Sequence, residues 1–446
     1  MTSGLVYLDR VSSGRPDDGT DGGRPSGRNA VLAAANQGIN GLGSFALTVG
    51  VARVGDVETV GHFALAYLTL QFAQITTRAG LSQEFMVHRA TDGVDGLASD
   101  RDLIRSSAWV GLVGAAVAGA ITLATLRGEP RSIALLLTAA FPVMAVVDCL
   151  RFVAIARGVP GQAVAQDSVR VVGFVLVMAG WTVVGRPTVL GAILVWIVMA
   201  TLGMAMALIS LRLRLYVPAI RAWWKARGRM ALAYSSESLV NRAALYSVSY
   251  SLVWFASISA VAGFRAGSAL TNLITICFAA VPMVVMPHYR ARLTRSTGVV
   301  SRVYLLRIAA MGTGYVVLLT ALGSVVLLNV PADIGRQILG DVWPLARESL
   351  PGLLFQTAGG SAVVGPTMVL RATARVRHSL VSSLVMAVCV MIGGMTGAAL
   401  GGAPGAGWGL GFGGWVGVAF WFWVIWADGD WDPRSDRVTS RLAAAG

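Results

Sequence analysis

The chain has 446 residues, of which 55% are hydrophobic and only 13% are charged, and its formal net charge is +14. Soluble domains are usually about a quarter charged, so this composition excludes an ordinary soluble protein. Apolar runs of about 20 residues, the length that crosses the hydrocarbon core of a bilayer, recur along the chain. The sequence predicts an all-α polytopic membrane protein, so the basic residues call for a membrane interpretation before a nucleic-acid one.

The positions of the apolar runs predict twelve membrane-spanning helices. They are expected at residues 31–53, 61–84, 106–126, 132–150, 166–185, 189–211, 234–256, 266–289, 308–329, 349–370, 379–401 and 405–426. With a cytoplasmic N-terminus, the inner segments hold 26 Lys and Arg residues and the outer segments hold 7. Because cytoplasmic loops are enriched in Lys and Arg, we expect both termini to be cytoplasmic. The three remaining arginines, Arg78, Arg170 and Arg242, fall within spans.

The chain divides into two predicted lobes, a linker and two tails. Residues 1–29 are rich in Gly, Ser, Asp and Arg without an apolar stretch, which predicts a disordered cytoplasmic tail. Residues 30–211 form an N-terminal lobe of six spans, and residues 234–426 form a C-terminal lobe of six. The basic segment 212–233 holds two tryptophans, which suits an amphipathic linker on the anionic inner leaflet. Residues 427–446 are a second cytoplasmic tail.

Polar side chains form stripes on the first two spans. Those on the first span are Asn36, Asn40, Ser44 and Thr48. Those on the second span are Tyr67, Gln71, Gln74 and Arg78. The second set is spaced by four, three and four residues, which places it within about 60° of one helical face. Such groups either join helices by hydrogen bonds or line a cavity, and their presence on several spans favours a cavity.

Two Asp-x-x-Arg motifs lie where the fourth predicted span ends and the fifth begins. They place Asp148 three residues before Arg151, and Asp167 three residues before Arg170. Residues at i and i+3 of one helix are neighbours, so each motif can form an ion pair. We predict that these pairs are a structural latch at the cytoplasmic rim, outside the deep cavity.

The seventh and eighth predicted spans repeat the pattern of the first two at a shift of 201 residues. Asn40 aligns with Asn241, and Phe63 aligns with Phe264. The stripe on the second span aligns with Ser268, Asn272, Thr275 and Ala279. Further on, the shift becomes 220, and the outer segment "PADIGRQILGDVWPLARESL" accounts for the added residues. An even number of spans in each half predicts two parallel repeats around a shared cavity.

The seventh span also carries Glu237 and Arg242 within a few residues of Asn241. A charge at the centre of a bilayer is costly, so we expect this face to line the shared cavity. Arg242 and Arg78 would then supply guanidinium groups, which bind phosphate through a planar fork. Glu237 is the candidate for proton coupling. The competing interpretation is that Glu237 and Arg242 neutralise each other.

The stretch "ANQGINGLGSFALTVGVARVGDVETVGHFALAY", residues 35–67, resembles the opening of polysaccharide flippases of the multidrug/oligosaccharidyl-lipid/polysaccharide (MOP) exporter superfamily. The stretch "DCLRFVAIARGVPGQAVAQDSVR", residues 148–170, is similar to actinobacterial members. The resemblance implies a MATE-like fold in which two six-helix lobes surround a central cavity that opens alternately to each side. Wzx-type members move polyprenyl-diphosphate-linked oligosaccharides to the outer leaflet. Polysaccharide polymerases or glycosyltransferases would then be further partners.

Two other functions stay open at this point. A cation-coupled drug exporter of the same superfamily commonly uses a buried carboxylate, and Glu237 is the candidate here because the first and tenth spans contain no acid. A membrane glycosyltransferase would use carboxylates such as Asp56 and Glu58, although that loop is too short to hold a sugar acceptor. The sequence has no P-loop, HExxH motif or clustered cysteines, so we expect no enzyme activity, no metal and no cofactor. The expected partners are membrane lipids and a lipid-linked glycan, and not nucleic acid.

Overall fold

The computed structural model describes residues 27–83, 85–86, 96–213, 220–279, 299–373 and 375–431. Within these residues the chain is helical apart from turns and one isolated bridge between Val300 and Trp431. The predicted all-α fold class is therefore confirmed. Most of the predicted N-terminal tail, and residues 432–446 of the C-terminal tail, lie outside the described residues.

Six long helices are described in the first half of the chain. They are α1 (Gly27–Val54), α2 (Val57–Thr77), α3 (Gly96–Thr125), α4 (Gly128–Ala156), α5 (Pro160–Val184) and α6 (Val189–Ser210). A π-helical turn, Arg78–Gln83, continues α2. The tight turn between α1 and α2 is stabilised by Asp56, whose carboxylate caps α2 by accepting a 3.1 Å hydrogen bond from the backbone nitrogen of Thr59. Hydrogen bonding to Thr59 also holds the pKa of the exposed Asp56 carboxyl below its ordinary value.

The described residues of the second half form seven helices. They are α7 (Ile220–Phe255), α8 (Ile258–Ala279), α9 (Arg302–Leu328), α10 (Ala332–Leu339), α11 (Trp343–Ala362), α12 (Val364–Ala372) and α13 (Val376–Ala427). α13 covers the last two predicted spans and bends where Gly401 and Gly402 leave helical geometry. α7 already begins at Ile220, so the predicted linker boundary at residue 233 is not a helix boundary.

Seven described segments are long and apolar enough to cross a membrane by length and composition. They are Asp100–Thr125, Gly128–Ala156, Pro160–Val184, Val189–Ser210, Arg302–Leu328, Ala332–Leu370 and His378–Ala427. α1, α2, α7 and α8 are not among them, and these are the helices whose sequences carry the predicted polar stripes. The chain is a multi-pass helical membrane protein, while the number of twelve spans stays a prediction.

The two halves meet where α2 contacts α7 and α8, and where α1 contacts α8. At this boundary Gly61 lies so close to α8 that a Cβ there would collide with the carbonyl oxygen of Ile258. The segment that lengthens the second half also reaches the first half, because a Cβ on Gly340 would lie 3.1 Å from the carbonyl oxygen of Ala52. Gly340 has φ +58°, a conformation that glycine adopts without strain. Trp343, three residues after Gly340, is buried in a hydrophobic core that contains residues of both halves.

Glycine provides the closest helix contacts in the second half. Around the bend of α13, Gly397 faces Gly405 and Gly393 faces Gly409. A Cβ on any of them would collide with the carbonyl oxygen of its partner. Small residues allow helix backbones in membranes to approach closely and gain van der Waals contact. The two arms of α13 are therefore packed backbone to backbone.

We expect Gly409→Val to destabilise the protein strongly. Overpacking a well-packed interior typically costs about 1–3 kcal/mol, and here the added side chain meets backbone that cannot rotate away. Gly314→Val is the matched control, because a Cβ at Gly314 meets no atom within 4 Å. Thermal melting of the two purified variants measures the difference. Equal melting temperatures would show that the arms of α13 are not in close contact.

A charged cavity in the first six helices

A polar cavity of about 110 Å³ lies among the helices of the first half. It is lined by Asn40, Gly43, Ser44, Tyr67, Gln71, Gln74, Ile75, Arg78, Asp148, Arg170 and Trp196. These eleven residues come from α1, α2 with its π-helical turn, α4, α5 and α6. The polar stripes of α1 and α2 therefore face one space together with charged residues of α4 and α5.

Asp148 on α4 is held by two arginines. Arg78 approaches it side-on, with Nη2 at 2.9 Å and 2.8 Å from the two carboxylate oxygens and Nε at 3.2 Å. Arg151, one helical turn along α4, forms a second ion pair with Asp148. Charge-assisted hydrogen bonds of this bidentate kind are among the strongest in proteins. Arg78, 30% exposed, is thereby anchored to the wall of the cavity.

Asp167 on α5 forms the second centre of the cluster. It accepts a 2.8 Å hydrogen bond from the amide of Asn36 on α1. Arg170 lies 3.1 Å from one carboxylate oxygen and Arg151 lies 3.5 Å from the other. Arg170 also donates a 2.9 Å hydrogen bond to Oδ1 of Asn40. Arg151 therefore bridges the two carboxylates, and the cluster joins α1, α2, α4 and α5.

The cluster is buried and carries an excess of positive charge. Asp148 is 3% exposed, Asp167 0%, Arg151 3% and Arg170 6%. Three guanidinium groups share two carboxylates, which leaves a formal charge of +1. Gly43 makes room for this arrangement, since a Cβ there would lie 3.3 Å from Nη2 of Arg170. The cavity wall is thus electropositive.

The residues of the predicted rim latch belong to this charged cluster. The pairs Asp148–Arg151 and Asp167–Arg170 do form, as the i, i+3 spacing predicts. Asp148 and Arg170 line the small cavity within the first half, while their position relative to the cytoplasmic rim and to a cavity shared by the halves stays a prediction. The pairs are also linked to each other and to Arg78. The reason is burial: two adjacent ion pairs in an apolar interior are stabilised by sharing partners.

The other predicted site residues divide into three groups. Tyr67, Gln71, Gln74 and Asn40 line the cavity with Arg78. Arg242 and Asn272 are exposed and are not among the residues that line it. The side chains of Glu237 and Asn241 lie outside what the structure describes. That these four face a space between the two halves stays a prediction, as does the equivalence of Asn40 and Asn241.

Arg265 on α8 is a further candidate, which lies one residue before the eighth predicted span, 266–289. It is 7% exposed, and its guanidinium carbon lies 5.0 Å from the ring centre of Tyr67 on α2. Tyr67 in turn donates a 3.2 Å hydrogen bond to the hydroxyl of Ser44. Among the described residues no carboxylate lies within 4 Å of Arg265, and its Nε has no hydrogen-bond partner. Within the part of the chain that the structure describes, this buried cation at the boundary of the halves is held by the ring of Tyr67.

One sequence signal for the cluster was present. At a shift of 201, Arg78 aligns with Ala279. At the later shift of 220, Asp148, Asp167 and Arg170 align with Met368, Ala387 and Val390. These departures from the repeat mark charges that belong to the first half alone. At the shift of 201, Arg265 aligns with Ala64, so the same signal was present for Arg265 in the second half.

The described residues include no group of three or more His, Cys, Asp or Glu side chains placed to hold a metal ion. Both carboxylates of the cluster are engaged by guanidinium groups. The chemistry that the arrangement supports is the binding of an anion.

We expect Asp148→Asn to destabilise the protein by about 3–5 kcal/mol, since removing one partner of a buried ion pair leaves an uncompensated charge. The double variant with Arg78→Gln should recover part of this loss. Asp102→Asn is the control, because that carboxylate is 51% exposed and lies 3.6 Å from Arg105. Such a surface pair contributes only about 0–1 kcal/mol. Thermal melting of the two single Asp variants and the double variant measures these differences. Equal losses of stability in Asp148→Asn and Asp102→Asn would show that Asp148 is not held in a buried ion-pair cluster.

No model of a known protein family matches the sequence, and no curated protein sequence matches it. Solved structures do match. A structure of the lipid II flippase MurJ in an inward closed conformation has a TM-score of 0.70 at 12% identity, covering 89% of this chain and 87% of that chain. An inward-facing multidrug resistance MATE family transporter of the MOP superfamily has a TM-score of 0.60 at 16% identity, covering 89% and 98%. A MOP superfamily transporter from Pyrococcus furiosus has a TM-score of 0.51 at 13% identity, covering 92% and 98%. The chain has the fold of these transporters.

Proposed function

We propose that this protein moves a polyprenyl-diphosphate-linked oligosaccharide across the cytoplasmic membrane by alternating access, for the assembly of cell-surface polysaccharide. Both termini would lie in the cytoplasm. The observation that carries the proposal is Arg265, a buried guanidinium at the boundary between the two halves. Within the described residues it has an aromatic ring beside it and no carboxylate.

The energetic argument is direct. A buried charge without a counter-ion is costly, and such residues in membrane proteins commonly mark a pathway for substrate or ions. A diphosphate would supply the missing charge and accept the planar fork of the guanidinium. The ring of Tyr67 holds the cation while no cargo is present. Separation of α2 from α8 would release Arg265 to the cargo.

The remaining predicted residues complete this proposed site. Arg242 on α7 would be the second phosphate-binding arginine, and Asn241 and Asn272 would face the sugars. Glu237 would moderate the positive charge between transport cycles and exchange a proton as cargo enters or leaves. Arg78, predicted as a cargo arginine, is instead occupied by Asp148.

The structural neighbours support transport and leave the cargo open between two classes. One is described as a lipid II flippase and another as a multidrug resistance transporter. The Pyrococcus furiosus protein is described as having a binding pocket of reversed polarity that suggests a different function, so pocket polarity varies within this fold. Here Arg265, at the boundary of the halves, has no carboxylate within 4 Å among the described residues, which favours an anionic cargo over a cationic drug. Transport, and not catalysis at the membrane, is the common activity of these neighbours.

The test uses purified protein in vesicles with a fluorescent polyprenyl-diphosphate disaccharide in one leaflet. We expect translocation of this lipid, and none of the same glycan on an uncharged polyprenol. A cationic dye with an imposed proton or sodium gradient tests the drug-exporter alternative in parallel. Dye transport without lipid translocation would overturn the proposal in favour of drug export. Equal translocation rates of the charged and uncharged lipids would show that the protein does not recognise the diphosphate.

A further inference from the structure

The cavity in the first half is too small for the proposed cargo. Its volume is about 110 Å³, whereas sites for drug-sized ligands are about 300–1,000 Å³. One water needs on the order of 10–15 Å³ of such volume, so the cavity has room for a few waters or one small ion. The polar groups around it therefore suit a ligand much smaller than a lipid-linked glycan.

The charge beside the cavity favours an anion. Arg78, Arg151 and Arg170 outnumber the two carboxylates of the cluster by one. In the interior of a membrane protein, an excess charge of this kind is stable only when a counter-charge or water solvates it. Further described residues supply no acid to this cavity wall, since Asp148 is the one acidic residue that lines it.

Hydrogen-bond donors without acceptors point to the same place. Nε of Arg170 and Nε1 of Trp196 have no partner among the described residues. Both side chains line the cavity, and they are only 6% and 3% exposed. Two acceptors of the same cluster, Oδ1 of Asn36 and Oδ1 of Asp167, also lack a hydrogen-bond partner among these residues, so the excess of positive charge, and not the number of donors, favours an anion. Asn40 accepts from Arg170 through Oδ1, which leaves its amide NH₂ to donate as well.

We propose that this cavity binds one small inorganic anion, of the chloride or phosphate class, against Arg170, Trp196 and Asn40. Arg78 also lines the cavity and contributes positive charge, and Gln71 and Gln74 supply amide donors. The site is separate from Arg265 and needs no cargo. Tyr67 links the two places, because its hydroxyl bonds Ser44 in the cavity wall and its ring holds Arg265. The anion therefore lies one side chain away from the boundary between the halves.

The first test measures the melting temperature of the purified full-length protein in sodium chloride, sodium phosphate or sodium gluconate at equal ionic strength. A ligand that binds only the folded state raises this temperature, so we expect a saturable rise of about 2 °C with chloride or phosphate and none with gluconate. Arg170→Gln removes the excess charge and should abolish the shift. Arg157→Gln is the matched control, because Arg157 pairs with Asp100 away from the cavity and its loss should leave the shift intact.

The second test does not depend on the Arg170 variant remaining folded. Bromide quenches tryptophan fluorescence on contact, and Trp196 lines the cavity. We expect a saturable component of bromide quenching in the unmodified protein that is absent from Trp196→Phe. Chloride should compete with this component at constant ionic strength, whereas gluconate should not.

Three results would overturn the anion site. One is an equal melting shift in gluconate, which would be a general salt effect. Another is a chloride shift that survives in Arg170→Gln. The third is bromide quenching that is linear in concentration and unchanged by Trp196→Phe. None of these measurements involves cargo, so their failure would leave the proposed lipid transport standing, and failed lipid transport would leave the anion site standing.

Discussion

Arg265→Met is expected to reduce translocation of the polyprenyl-diphosphate lipid by about 10–100-fold, because hydrogen bonds to charged groups contribute about 1.5–3 kcal/mol and each 1.4 kcal/mol is a factor of ten. The same substitution should leave the melting temperature unchanged or raise it. Arg265 is buried without a carboxylate partner among the described residues, so an apolar side chain of similar length removes a desolvation cost. A purely structural arginine would show the opposite combination, with lost stability and preserved transport.

Matched variants test separately whether transport depends on the charge of Arg265, on the shape of its guanidinium group and on its location. Arg265→Lys keeps the charge but loses the planar fork, so it should recover only part of the activity. Tyr67→Phe keeps the ring beneath the guanidinium and should retain transport better than Tyr67→Leu. Arg336→Gln, an exposed arginine on α10, should have no effect. Full transport by Arg265→Met, or an equal loss in Arg336→Gln, would contradict the role of Arg265.

The sequence predicted those features of the fold that depend on local pattern. The spacing of Tyr67, Gln71, Gln74 and Arg78 placed them on one face, and all four line the same cavity. The Asp-x-x-Arg spacing predicted two ion pairs that form as expected. These results follow from the helical period, which relates residues a few positions apart.

Features that depend on tertiary structure were missed. The pair Arg78–Asp148 joins residues 70 positions apart on different helices, and no periodicity relates them. Arg265 was assigned to a loop because the apolar run of the eighth span begins after it, yet α8 begins at Ile258. A charge ordinarily ends a span, but here the ring of Tyr67 on another helix accommodates it. The contact between Gly397 and Gly405 likewise exists only because α13 bends back on itself.

A disulfide between the two halves is expected to lower the transport rate of any cargo by at least about tenfold. Gly80 follows α2 and Ser235 lies on α7, and a Cβ on Gly80 would stand 3.6 Å from the Cβ of Ser235. Disulfides join residues whose Cβ atoms are about 3.5–4.5 Å apart, so the pair Gly80→Cys and Ser235→Cys fits this geometry. In transporters built from two repeats, exposure of the site alternates because one half rocks against the other. A covalent bond across this contact would prevent α2 and α7 from separating.

The experiment replaces the native Cys149, Cys277 and Cys389 by alanine and compares oxidised with reduced protein in the vesicle assay. Reduction should restore transport, which excludes damage by the substitutions themselves. The control is a disulfide inside the first half, between Gly173→Cys on α5 and Met199→Cys on α6, where the corresponding Cβ separation is 3.9 Å. That bond joins helices that would move together, so transport should persist when it forms. If the disulfide between α2 and α7 forms completely and transport continues at the unmodified rate, the halves do not separate along this contact, and the cargo must pass without the motion that the proposed mechanism requires.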